Sequence, residues 1–130
     1  MKMIREEEMK EILQMRGPLA EKQLFIFDMD GTLYLCEHVF DGARRFILNL
    51  RRAGKRVLFF TNNASHNHEF YIERLTRMGF EPREEEIMSS GDVTRAFLTR
   101  HRAGKSVYLV GTDELQSQFR NEGIQLCTGE

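Results

Sequence analysis

An apolar run of four residues, Leu24-Phe25-Ile26-Phe27, stops abruptly at two carboxylates one residue apart, Asp28 and Asp30, followed by Gly31 and Thr32. A short continuous apolar run bounded by a turn signal reads as a strand buried on both faces. Alternate residues of a strand share a face, so Asp28 and Asp30 address one spot at its carboxyl end. That edge is where open parallel sheets bind ligands. Gly31 allows the turn, and Thr32 adds a hydroxyl and an N–H. Two carboxylates this close interact, and one can serve as nucleophile while the other carries a proton as general acid/base. Phosphoryl transfer to an Asp gives an acyl phosphate, and two anions facing an anionic substrate call for Mg²⁺ with oxygen ligands. Asp-x-Asp alone also caps turns and binds structural cations. The strand before it and the Gly-Thr-Leu after it favour the catalytic reading.

A second apolar strand ends in similar chemistry: Arg56-Val57-Leu58-Phe59-Phe60 runs into Thr61-Asn62-Asn63. Together the two segments resemble the first and second motifs of the haloacid dehalogenase superfamily of phosphohydrolases. Thr61-Asn62-Asn63-Ala64-Ser65, then Met78-Gly79-Phe80 and Ser89-Ser90-Gly91, are similar to its NagD-like and p-nitrophenyl-phosphatase-like subfamily. The likeness covers roughly residues 22–130. It implies an α/β fold, a Rossmann-like parallel sheet with flanking helices, together with the beginning of an inserted cap. It also implies Asp28 and Asp30 as catalytic and Mg²⁺-binding residues, and Thr61, Asn62, Met29 and Gly31 as phosphate-binding ones. Asp30 favours phosphoryl transfer over dehalogenation, because a carbon–halogen bond has no leaving oxygen to protonate. The substrate class implied is a small phosphorylated metabolite.

The superfamily's third motif, a Lys, and its fourth, an acidic motif completing the metal site, have no match after Ser90. Gly91-Asp92 has no second acid at useful spacing and reads as a helix start with Asp92 as N-cap. Lys105 reads as part of an ordinary helix-to-strand connector. The expectation is the front part of a longer phosphatase, inactive alone. The alternative is a non-catalytic remnant that binds phosphate, Mg²⁺ or a protein.

From Leu24 onward, apolar runs alternate with helical patterns: strands over 24–28, 57–61, 87–89 and 107–111, helices over 42–53, 66–78, 92–102 and 113–121. Gly54, Gly79, Gly104 and Gly123 each fall where a left-handed residue ends a helix. This alternation predicts a parallel sheet with right-handed crossovers, which brings Asp28, Asp30 and Thr61 to one edge. The expected division is a helical extension over 1–21, the front of the core over 22–100 and the start of the cap over 101–130. Without further strands, the edge of the first strand would stay unpaired, inviting self-association.

A net charge of −1 offers no field for nucleic acid, and Arg44, Arg45, Arg51, Arg52, Lys55 and Arg56 read as the solvated face of an amphipathic helix. No nucleic-acid or membrane partner is expected, since no long apolar run is present. Two cysteines, Cys36 and Cys127, make no disulfide framework, which suggests the cytoplasm. His66 and His68, at formal metal-ligand spacing, fall two apart at a helix start and so do not share a face.

Overall fold

The computed structural model describes residues 18–129, so the extension expected over 1–21 lies almost entirely outside the described residues. The elements are β1 (Leu24–Asp28), β2 (Tyr34–Leu35), β3 (His38–Val39), α1 (Ala43–Arg52), β4 (Arg56–Thr61), α2 (His68–Arg77), a 3₁₀ turn (Glu84–Glu86), β5 (Ile87–Ser89), α3 (Ser90–His101) and α4 (Asp113–Asn121). Strands β1, β4 and β5 form one parallel sheet in the order β1-β4-β5, and β2 and β3 pair as a small antiparallel ribbon. This is the parallel α/β arrangement that the alternation predicts.

Both β–α–β connections lay their helix on the same face of the sheet. Ile47 and Leu50 of α1 and Tyr71 and Leu75 of α2 join Val57, Phe59 and Ile87 in one buried cluster. Parallel strands cannot be joined by a tight turn, so each crossover needs a helix, and equal handedness puts successive helices on one side. The opposite face is open: Ile26 is 60% exposed and Leu24 44%. Strand β1 is therefore covered on one face only. The open face departs from a strand buried on both sides, whereas its pairing among the described residues with β4 alone is the unpaired edge that the sequence leads one to expect.

The arginines of α1 are more than a wet face. Arg51 forms a two-pronged ion pair with the buried Glu86 and donates to the Phe80 carbonyl at 2.8 Å. Arg44 donates to the Met78 carbonyl. These contacts pin α1 to the segment leading into β5.

Two further expectations are corrected. Residues 107–111 form no strand. Val107 makes a single bridge to Leu126, and Val110 is 82% exposed. With one bridging neighbour, the apolar alternation has nothing to pack against. Helix α3 begins at Ser90 and is capped by Ser89, with Asp92 at the third helical position completing a reciprocal capping box. Asp92 Oδ2 accepts from Ser89 N at 2.6 Å and meets His68 Nε2 at 2.8 Å, while Oδ1 accepts from Arg95 at 2.6 Å. Arg95 also reaches Glu122 and Gln118 on the far side, tying α3 to the end of α4.

Burial pushes the Asp92 carboxyl up, but hydrogen bonds from His68 and the Ser89 N–H outweigh it, and the group lies below its ordinary 3.8. A depressed folded-state pKa adds stability that is fully present above 3.8 and lost as pH falls through the lower folded value. Asp92→Asn is therefore expected to flatten the acid limb of stability below pH 3.8. Denaturant midpoints measured from neutrality down into that range check this; an unchanged acid limb contradicts it.

Candidate active site

The turn after β1 is closed by its own backbone. Leu33 and Thr32 N–H donate to the Met29 carbonyl at 2.9 and 3.2 Å, and Gly31 N–H donates to the Tyr34 carbonyl at 2.7 Å. Gly31 takes φ +82, which a side chain would strain. The turn sends Met29 into the core, where it is 1% exposed, and leaves Asp28 and Asp30 accessible. Thr32 Oγ1 donates to Asp28 Oδ2 at 2.9 Å, so one oxygen of Asp28 is held and the other is presented.

The end of β4 lies beside this turn. The parallel register sets Asp28 against Phe60, one residue before Thr61. Thr61 is buried, and its Oγ1 accepts from Asn63 N–H at 3.0 Å. Asn63 Oδ1 accepts from Ser65 N–H, and Asn67 caps α2 by accepting from Phe70 N–H. The loop from Asn62 to Asn67 is thus built from short polar side chains folded onto their own backbone.

Asp28, Asp30, Thr61 and Asn62 line one pocket of about 310 Å³ at the carboxyl edge of the sheet. Met29 and Gly31 do not line it: the Met29 side chain points into the core, as expected of a residue that would offer only its N–H, and the Gly31 N–H donates to the Tyr34 carbonyl. The remaining walls are Tyr34, Asn63, His66, Phe70, Tyr71 and Arg74. Tyr71 and Arg74 stand three apart on α2, at the spacing of one helix face.

Arg74 brings a guanidinium to the same pocket as the carboxylates. It sits 5.0 Å from the centre of the Tyr34 ring and donates to the Cys36 carbonyl at 2.8 Å, while its buried Nε has no partner. Burial pushes the Tyr34 phenol up, against the pull of Arg74. Burial likewise pushes Tyr71 up, against a hydrogen bond from Thr61 and the charge of Arg74. Both phenols are neutral hydrogen-bonding groups at physiological pH.

The histidines go separate ways: His66 stacks on Phe70 with ring centres 3.8 Å apart, and His68 pairs with Asp92. Among the described residues, no group of three or more His, Cys, Asp or Glu gathers at metal-binding distance, and no helix is long and apolar enough to cross a membrane. Cys36 and Cys127 are free and exposed.

A family model described as haloacid dehalogenase-like hydrolase matches residues 25–125. The chain belongs to the haloacid dehalogenase-like hydrolases. Among curated relatives of this haloacid dehalogenase-like chain, the sugar-phosphatase AraL of Bacillus subtilis (strain 168) is 32% identical over 100 residues, which cover 77% of this chain and 37% of the relative. Among solved structures, the 4-nitrophenylphosphatase of Thermotoga maritima superposes with a TM-score of 0.75 at 31% identity, covering 83% of this chain and 41% of that one. The glycerol phosphate phosphatase of Mycobacterium tuberculosis, solved in complex with magnesium, gives 0.68 at 30% identity, over 80% of this chain and 31% of that one. The haloacid dehalogenase-like chain spans well under half the length of these proteins. The p-nitrophenyl-phosphatase-like branch named from Thr61-Asn62-Asn63-Ala64-Ser65 is the branch to which the match leads.

Proposed function

We propose that this chain carries the nucleophile, the acid/base and the phosphoryl-gripping hydroxyl of a Mg²⁺-dependent phosphatase acting on small phosphorylated metabolites. The observation that carries the reading is the meeting of Asp28, Asp30 and Thr61, from the ends of two adjacent parallel strands, in one pocket. The sugar-phosphatase and glycerol-phosphate-phosphatase relatives support sugar and polyol phosphates as the substrate class.

In this reading the Asp28 oxygen not held by Thr32 attacks phosphorus in line, forming a P–O bond to the carboxylate as the bond to the leaving oxygen breaks. Asp30, protonated, gives its proton to the leaving alkoxide. Water then attacks the phosphorus of the acyl phosphate, Asp30 takes back a proton, and Asp28 and inorganic phosphate are released. Thr61, whose oxygen accepts from Asn63 N–H, turns its hydroxyl hydrogen from the Tyr71 phenol to an equatorial phosphoryl oxygen. Met29 and Gly31 shape the turn that aims the carboxylates.

The Asp28 carboxylate and the Asp30 backbone carbonyl, both oxygen donors, would hold a hard cation. Bound there, Mg²⁺ supplies charge neutralisation between two carboxylates and an anionic substrate.

Titrating the chain with inorganic phosphate in the presence of Mg²⁺, read by amide chemical shifts, tests the proposal. Saturable shifts are expected at Asp28, Asp30, Thr61 and Asn62. Shifts confined to other surfaces, or none at all, contradict it.

A further inference from the structure

Three hydroxyls from three elements grip the loop that follows β4, each by a different carbonyl. Tyr71 Oη on α2 donates to Asn63 O at 2.7 Å. Ser90 Oγ, the first residue of α3, donates to Asn62 O at 3.1 Å. Thr112 Oγ1, capping α4, donates to Ser65 O at 3.4 Å while accepting from Leu115 N–H. The backbones also close on one another. A Cβ added at Gly91 would lie 3.2 Å from both Ala64 Cβ and Leu115 Cδ1, so α3 approaches the loop closely enough that a side chain there would have to push its neighbours aside by a few tenths of an ångström.

A surface loop normally leaves such carbonyls to water, and water would let the loop sample many conformations. Here the Asn63 carbonyl is held by Tyr71 while its N–H holds Thr61 Oγ1. The phenol thus fixes the residue that fixes the threonine hydroxyl. Tyr71 is buried to 4% exposure, so its hydroxyl has lost water and depends on these partners.

We propose that Tyr71, with Ser90 and Thr112, is a positioning residue. Through the carbonyls of Asn62, Asn63 and Ser65, the three hydroxyls clamp the loop and hold the Thr61 hydroxyl aimed at a phosphoryl group. The inference rests on the reading of the Asp28–Asp30–Thr61 pocket as a phosphoryl site. It adds that α3 and α4, which contribute no side chain to that pocket, govern its affinity from behind.

Two measurements on the full chain test it. Amide hydrogen exchange without ligand reads the clamp. Tyr71→Phe keeps the ring and removes the hydroxyl, and Ser90→Ala removes an independent contact. Each is expected to accelerate exchange at Asn63 and Ser65 about tenfold, the scale of one lost hydrogen bond, while leaving the amides of β4 at wild-type rates. Titration with Mg²⁺ and inorganic phosphate reads the consequence. Each variant is expected to weaken phosphate binding by about tenfold while remaining folded at the assay temperature. Unchanged exchange in both variants overturns the clamp. Faster exchange with wild-type phosphate affinity overturns the positioning role. Wild-type chain that binds no phosphate at all overturns the pocket reading itself, an outcome distinct from the other two because no variant is involved.

Discussion

Asp28→Asn is expected to abolish capture of beryllofluoride in the presence of Mg²⁺, while Asp30→Asn retains it. Beryllofluoride mimics a phosphoryl group bonded to a carboxylate oxygen, so it requires the nucleophile and not the proton donor. The amide is isosteric and keeps an oxygen for Thr32, which holds Asp28 at 2.9 Å, so the turn should survive. What is lost is an anionic oxygen able to bond beryllium or phosphorus. Fluorine NMR checks this through the protein-bound resonance: present in the wild type and in Asp30→Asn, absent in Asp28→Asn. The two variants are thus separated by what each loses, the atom that bonds beryllium or the proton donor. Equal capture by all three proteins would move the nucleophile elsewhere.

The largest effect on stability is expected from Phe59→Ala. Phe59 lies on the central strand β4, is fully buried, meets Phe80 edge-on at 6.1 Å and lies 5.9 Å from the Arg51 guanidinium. Truncating a buried Phe to Ala costs roughly 3–5 kcal/mol. A small domain has about 5–15 kcal/mol in all. This sheet is covered on one face only among the described residues, with Ile26 60% exposed, which places the chain low in that range. Phe59→Ala is therefore expected to abolish a cooperative urea transition at 25 °C. Ile26→Thr, on the uncovered face, should shift the midpoint little, since about 0.5 kcal/mol is typical of surface changes. A Phe59→Ala protein that unfolds cooperatively with a midpoint near wild type would refute this account of the core.

The elements that the sequence specifies most sharply are those with a local signal at both ends. β1 and α4 run from Leu24 to Asp28 and from Asp113 to Asn121, as the apolar run and the helical pattern closed by Gly123 imply. Gly54, Gly79, Gly104 and Gly123 all take positive φ at helix ends. The β2–β3 ribbon was not legible, because two-residue strands are too short to show periodicity. The capping register of α3 slipped from Asp92 to Ser89, since both residue types cap well and a capping box uses both positions. Residues 107–111 carry strand-like alternation that no neighbour realises beyond one bridge.

In the pocket, Asp28, Asp30, Thr61 and Asn62 could be named from the sequence because they follow strands directly, at ends that a parallel sheet must bring together. Tyr34, Tyr71 and Arg74 could not. Each lies in an otherwise ordinary amphipathic or turn segment, and only the packing of α2 and the ribbon against the strand ends turns them to the site. Tyr71 and Arg74, three apart just beyond the asparagine-rich loop, were the available hint. Arg44 and Arg51 of α1 were misread for a related reason: the acid and carbonyls that engage them, Glu86, Phe80 and Met78, lie some thirty residues away in the chain, at separations of 29–35.

The claim that Asp28 is the phosphoryl acceptor is tested most directly by a single transfer, which needs only the nucleophile and its pocket and not sustained turnover: the chain is acid-quenched after incubation with Mg²⁺ and an aryl phosphate, and any phosphoryl group is mapped by peptide mass spectrometry. A hydroxylamine-labile phosphoryl group on Asp28, missing from the Asp28→Asn protein, is the predicted result. Phosphorylation of a different residue, or none under conditions where phosphate binding is saturated, would contradict it.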